Sequence, residues 1–223
     1  MRLLAIETAT EACSVALAVG GRLCERYTTE PRVHAARVLS MIDECLAEGG
    51  IRPRDLQALA FGRGPGSFTG VGIATGVMQG LALGLERPVV PVSTLAGFAA
   101  TAWRLHGVPR VAVCVDARMG EFYWGVYEVA GGVATLCGEE CLASAAELPA
   151  PDGGGWLAVG TGWRAAPELL TRMRSQIARV EPDVLPAAAD LVATAVAACA
   201  AGATVAAEDA VPVYLRERVA WRT

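Results

Sequence analysis

The stretch LLAIETATEACSVALAVGGRLCERYT, residues 3–28, decides the fold class. Leu3 to Ile6 is a short apolar run, the turn Glu7-Thr8-Ala9-Thr10 follows, and Cys13 to Val19 is apolar again. Gly20-Gly21 is a hairpin signal, because tight turns that match strand twist need positive φ, and Arg22 to Thr28 continues as a third strand. Three antiparallel strands are therefore expected to open the protein. Val38, Leu39, Met41, Ile42, Cys45 and Leu46 then form an apolar stripe at helical spacing. They predict a helix from about His34 to Glu48, ended by Gly49-Gly50. A buried strand is expected at Leu56–Phe61, then a glycine-rich loop and a helix from about Gly70 to Gly84. Pro88–Val92 reads as a strand, and Ser93 can cap a helix that runs to about Leu105.

The second half restarts in the same way, with a strand at Arg110–Val115, a turn at Asp116–Gly120 and a strand at Glu121–Tyr127. Pro149 to Gly155 is linker-like, Trp156–Val159 a strand, Ala165–Arg174 a helix and Ala187–Ala200 an Ala-rich helix. The order strand-strand-strand-helix-strand-helix-strand-helix is the RNase H-like pattern shared by actin and sugar kinases. The expected fold is α/β of this actin-like (ASKHA) class, with two lobes of mixed sheet flanked by helices. The first lobe is expected at 1–106 and a second, diverged one at 107–223, the C-terminal tail packing back on the first.

Composition narrows the function classes. The chain is 53% hydrophobic with mean hydropathy +0.40, yet no uninterrupted apolar run reaches the ~18–20 residues of a membrane span. The start MRLLAIETAT lacks a secretory layout, since Glu7 interrupts a short apolar stretch, so a cytoplasmic protein is expected. Cys13, Cys24, Cys45, Cys114, Cys137, Cys141 and Cys199 are odd in number and scattered, without a C-x-x-C pair, which reads as reduced core thiols. The net charge of −4 is opposite to what an autonomous nucleic-acid binder carries.

Three motifs carry a family resemblance: Leu4-Ala5-Ile6-Glu7-Thr8-Ala9-Thr10-Glu11-Ala12-Cys13-Ser14-Val15, Gly62-Arg63-Gly64-Pro65-Gly66-Ser67-Phe68-Thr69-Gly70, and Asp116-Ala117-Arg118-Met119-Gly120-Glu121-Phe122-Tyr123-Trp124. Gly160-Thr161-Gly162-Trp163 and Pro212-Val213-Tyr214-Leu215-Arg216 add to them. Together, and in this order, they resemble the TsaB family, also called YeaZ. The resemblance implies a non-catalytic scaffold or activating subunit of the bacterial complex that forms N6-threonylcarbamoyladenosine beside the tRNA anticodon. It implies a heterodimer with TsaD, which carries the transferase site, and work with the ATPase TsaE. A homodimer is expected in isolation, tRNA contact comes through the complex, and no membrane is involved. No cofactor of its own is expected, ATP and Mg belonging to the complex. The alternative is a stand-alone ATPase or peptidase-like enzyme of the same superfamily.

The motifs leave physical choices open. In related kinases the turn after the first strand holds a hydrated metal and phosphate, which makes Glu7, Thr8 and Thr10 nucleotide-binding candidates; Asp116, at the end of a later strand, either faces the interlobe cleft as a fourth candidate or holds a structural turn, pairing with Arg118. The family more often has Asp at position 7, and the other reading is a capping turn with an exposed carboxylate. The glycine-rich loop lacks the lysine of a P-loop, so it is either an anion cradle or a packed turn. In the helix that follows, Gly72, Gly76, Gly80 and Gly84 recur every four residues. Each costs a helix about 1 kcal/mol relative to Ala, so close approach of another backbone must compensate. That backbone belongs either to the protein's own sheet or to another subunit. The resemblance places TsaD contact on the first two helices, so the candidate interface is His34, Val38, Met41, Ile42 and Cys45 with Gly72, Gly76, Gly80 and Gly84. His34 also suits a surface or capping role. His34 and His106 are the only histidines, and no H-x-x-x-H pair, zinc-ligand spacing or catalytic triad stands out. No catalytic and no metal-binding residues are expected.

Overall fold

The computed structural model describes residues 1–216. The opening strands are β1 (Leu3–Glu7), β2 (Cys13–Val19) and β3 (Arg22–Thr28). With β4 (Ala58–Gly62) and β5 (Val89–Val92) they form a five-stranded sheet in the order β3-β2-β1-β4-β5. β1 runs antiparallel to β2 and parallel to β4. The second sheet is built from β6 (Arg110–Asp116), β7 (Glu121–Ala130), β8 (Val133–Leu136), β10 (Trp156–Val159) and β11 (Ile177–Glu181), in the order β11-β10-β6-β7-β8. β9 (Cys141–Ser144) pairs with β7 beside it. Again the first strand is antiparallel to the second and parallel to the next one inward. The two sheets therefore repeat one topology, which is the duplicated RNase H-like arrangement of the actin-like class.

Helices α1 (His34–Gly49) and α2 (Phe68–Leu85) cover the outer face of the first sheet, and α3 (Thr94–His106) and α6 (Ala188–Ala200) lie between the sheets. Strand parity explains the division. In β1, Leu3 and Ala5 join the apolar cluster shared by both sheets, while Leu4 and Ile6 join the outer one with Val38, Met41, Cys45, Ala74 and Met78. β1 has no solvent face, and all five of its residues are buried.

Differences from expectation have local causes. The single helix expected at 165–174 is two short ones, α4 (Gly162–Ala165) and α5 (Glu168–Arg172). Pro167 separates them by pushing Ala166 out of helical geometry, to φ −129° and ψ 78°. Strands β8, β9 and β11 carry partly buried, mixed sequences, so neither period stood out in them. α2 has 18 residues and a mean hydropathy of 1.4, long and apolar enough by composition to cross a membrane. Here its Val71, Ala74, Met78 and Ala82 pack into the core. After α6 the chain returns to the first sheet, where Val205 pairs with Val89, and Gln79 Nε2 donates to the Ala210 carbonyl at 3.1 Å.

Two buried polar arrangements join the layers. α6 has no side-chain cap of its own, so distant side chains accept its first N–H groups. Ala187 N donates to Thr101 Oγ1 at 3.2 Å, Ala188 N to Ser14 Oγ at 2.9 Å and Ala189 N to Glu25 Oε1 at 3.2 Å. On the same face of β1 as Leu3 and Ala5, Glu7 points at the start of α3. Its carboxylate accepts from Ala9 N at 2.7 Å and Thr94 Oγ1 at 3.1 Å, with Gly62 leaving it room. Burial raises its pKa from 4.5 to about 7, against the lowering pull of those hydrogen bonds.

Two outcomes follow. Ser14→Ala leaves the Ala188 N–H without its acceptor inside the protein and should cost about 1–3 kcal/mol in urea unfolding; an unchanged midpoint would rule out this capping role. Between pH 4.5 and about 7 the folded chain keeps a proton on Glu7 that the unfolded chain has released. Stability should therefore fall as pH rises through that window, by about 3 kcal/mol, and be flat on either side as far as Glu7 is concerned. Glu7→Gln cannot ionise, so its stability relative to the parent should improve by about that amount between about pH 4.5 and about pH 8. An equal offset at both ends would show that Glu7 does not titrate in this way.

Candidate functional site

A cleft of about 980 Å³ opens between the sheets, lined by Thr10, Ser67, Phe68, Asp116, Arg118, Thr161, Arg164, Tyr214 and Arg216 among others. It brings together only half of the nucleotide candidates. Thr10 lines it, with Oγ1 accepting from Ala12 N at 3.2 Å. Asp116 also lines it; Oδ1 accepts from Arg118 N at 2.8 Å, Oδ2 lies 3.4 Å from Arg118 Nη1, and Asp116 N donates to Thr161 Oγ1 at 3.1 Å. Glu7 and Thr8 are fully buried and do not reach the cleft. The exposed carboxylate expected at position 7 is corrected by this structure: strand parity turns it inward onto α3. Thr8 Oγ1 is spent on the carbonyl of Gly70 at 2.7 Å.

The glycine-rich loop is a packed turn. Ser67 N donates to the Ala9 carbonyl at 2.8 Å, and Ser67 Oγ caps α2 by accepting from Gly70 N at 3.4 Å. A methyl group on Gly70 would run into the carbonyl oxygen of Thr8. Arg63 sits at a junction: its N donates to the Val92 carbonyl and its carbonyl accepts from Val213 N, both at 2.8 Å. Its guanidinium lies 3.8 Å from Glu140, which is largely buried and also accepts from Ser93 Oγ and Tyr127 OH. Burial, together with the Glu140 carboxylate, pushes the Tyr127 phenol well up. Among the described residues, no group of three or more His, Cys, Asp or Glu is arranged to hold a metal. All seven cysteines are free; Cys13, Cys24, Cys45 and Cys114 are buried, and burial pushes Cys45 up to about 12.

The interface candidates separate sharply. Val38, Met41, Ile42 and Cys45 cannot meet a partner, because they face the chain's own core. Met41 Sδ lies 3.8 Å from Cys13 Sγ, and Cys45 Sγ 3.7 Å from the Val15 carbonyl. The apolar stripe was the buried side of an ordinary amphipathic helix; Leu39 stands on the open side. His34 is half-buried, with Nε2 donating to the Thr10 carbonyl at 3.0 Å, which ties α1 to the β1–β2 turn. Gly72, Gly76, Gly80 and Gly84 are all exposed, and a Cβ built on any of them meets nothing within 4 Å. Close packing of these four on the protein's own sheet is therefore excluded. Phe68, 71% exposed, and Leu83, 74% exposed, flank them.

Residues 212–216 meet the first lobe, where the tail is expected, and the second as well. They bridge the cleft mouth: Tyr214 stacks on Phe68 with ring centroids 5.2 Å apart, and Arg216 Nη2 donates to Glu121 Oε2 at 2.6 Å. No local pattern signals such contacts, since Arg216 and Glu121 are 95 positions apart.

Residues 28–222 match the family model described as TsaD: tRNA N6-adenosine threonylcarbamoyltransferase. The chain is 46% identical to the tRNA threonylcarbamoyladenosine biosynthesis protein TsaB of Escherichia coli, over all of this chain and 97% of that one. It is 37% identical to the TsaB protein of Haemophilus influenzae, over all of this chain and 96% of that one. Among solved structures, YeaZ from Pseudomonas aeruginosa superposes with a TM-score of 0.88 at 45% identity, covering 96% of this chain and 99% of that one. A Pseudomonas aeruginosa protein described as similar to peptidase YEAZ gives a TM-score of 0.90, also at 45% identity and the same coverage. With its motifs, duplicated sheets and full-length likeness in agreement, this chain belongs to the TsaB (YeaZ) family of tRNA threonylcarbamoyladenosine biosynthesis proteins.

Proposed function

We propose that this chain is the non-catalytic activating subunit of the threonylcarbamoyladenosine-forming complex, docking on a TsaD-type transferase through the open face of α2. The observation that carries this reading is the solvent-facing glycine stripe of Gly72, Gly76, Gly80 and Gly84. Four glycines cost the helix about 3–4 kcal/mol relative to alanine. No packing within the chain offsets that cost at these positions, since a Cβ at any of them would meet open space. A second helix seated on the stripe would approach without Cβ atoms in the way, with Phe68, Leu83 and Leu39 of α1 giving it apolar contact.

The non-catalytic part rests on Glu7. The carboxylate that would hold a metal in a kinase-like cleft is enclosed between β1, Gly62 and α3, held by Ala9 N–H and the Thr94 hydroxyl. Ser67, the exposed hydroxyl of the loop, serves as the cap of α2. The same α2 face would support a homodimer when the transferase is absent. TsaE and tRNA join through the complex in the cytoplasm, and ATP and Mg belong to that assembly.

Threonylcarbamoylation of tRNA by reconstituted TsaD and TsaE should require this chain; full modification without it overturns the scaffold role. Gly76→Leu sharpens the docking face. The side chain enters open space and relieves a helix glycine, so the melting temperature should hold or rise. Co-purification with TsaD should nevertheless fall at least about ten-fold, a loss of about 1.4 kcal/mol or more. Undiminished binding would place the interface elsewhere.

A further inference from the structure

The short segment 213–216 crosses the mouth of the cleft and is anchored on both sides of it. On the first-sheet side, Val213 N donates to the Arg63 carbonyl at 2.8 Å and the Tyr214 ring stacks on Phe68. On the second-sheet side, the Arg216 guanidinium donates to Glu121 Oε2 at 2.6 Å and to the Arg118 carbonyl at 3.2 Å. Arg118 and Met119, in the turn that receives it, have positive φ of 66° and 60°. Two of these anchors are partly open to water. Phe68 is 71% and Tyr214 44% exposed, and in the ion pair the Glu121 side chain is 41% and the Arg216 side chain 20% exposed. Partly exposed stacks and ion pairs are individually modest, so something that covers one end can shift the balance of the bridge.

Phe68 begins α2 and lies four residues before Gly72, on the same helix face as the glycine stripe. We propose that residues 213–216 are a latch over the cleft, and that a TsaD-type chain seated on α2 holds it closed. This rests on the docking face assigned above. A chain lying on the stripe covers Phe68 and with it the ring of Tyr214. The docked chain contacts the Tyr214 ring only while that ring lies on Phe68, so docking favours the stacked position, which holds Tyr214 down and keeps Arg216 on Glu121. Linkage is reciprocal, so the closed latch raises affinity for the docked chain by the same factor by which docking favours closure. A contact on β7, across the cleft from α2, thereby bears on binding at α2.

Glu121→Gln tests this, because it removes the charge that anchors Arg216 from a partly exposed position in the second sheet. The full-length variant should melt like the parent and bind purified TsaD about five-fold more weakly or worse. Arg216→Ala should do the same, and the double variant should be no weaker than either single one, since both release one latch. Amide exchange across residues 117–123 should slow on TsaD binding in the parent and not in the variants. Parent-like affinity of Glu121→Gln alongside lost binding by Gly76→Leu overturns the latch and leaves the docking face standing. Parent-like affinity of both overturns the docking face, and the latch with it. Additive losses in the double variant would also overturn the latch, since two independent contacts would then be at work.

Discussion

The glycine-rich loop lies against the β1–β2 turn with no room for a Cβ, and much of the molecule depends on that contact. Gly70 abuts the Thr8 carbonyl, Thr8 Oγ1 bonds the Gly70 carbonyl, and Ser67 N bonds the Ala9 carbonyl. These contacts fix where α2 starts and how it is rotated. The rotation puts Val71, Ala74, Met78 and Ala82 into the core and leaves the four-residue glycine repeat outside. It also sets Phe68 at the mouth of the cleft, where the returning tail meets it. A loop that looks like an anion cradle thus acts as a clamp that orients a helix.

The inner side of β1 is organised around a different constraint. A strand buried on both faces must place every second residue between the sheets, and position 7 falls on that side. A carboxyl there is costly when ionised, which is why its pKa rises to about 7 despite two hydrogen bonds. Ser14, opposite it on β2, and Glu25 on β3 likewise turn polar groups inward, and they cap α6. The two sheets are therefore joined by side-chain hydrogen bonds at helix starts as well as by apolar packing.

The glycine stripe and the cleft share one helix, so the docking proposed on that stripe bears on the inter-sheet opening. The apolar content of α2 is divided between a face that the chain itself covers and a face that it leaves bare. Such a division is expected of a subunit whose second face is completed by another chain.

The sequence by itself determined the order of elements in the first lobe, the hairpin at Gly20-Gly21, the cap at Ser93 and the family. These are set by short-range rules of period, turn and cap, and by motifs that are legible locally. It also determined that four glycines recur along α2, but not which way they point. The tertiary structure decided that direction, and it reversed the reading of α1, where Val38, Met41, Ile42 and Cys45 prove to be core. A helical stripe states only that one side is apolar; whether its own sheet or another chain covers that side depends on rotation about the helix axis. Tertiary structure likewise decided that Glu7 is enclosed, that Glu140 meets Arg63, Ser93 and Tyr127, and that Arg216 meets Glu121. Those contacts join residues far apart in the chain, and only the folding of two sheets around shared helices brings them within reach.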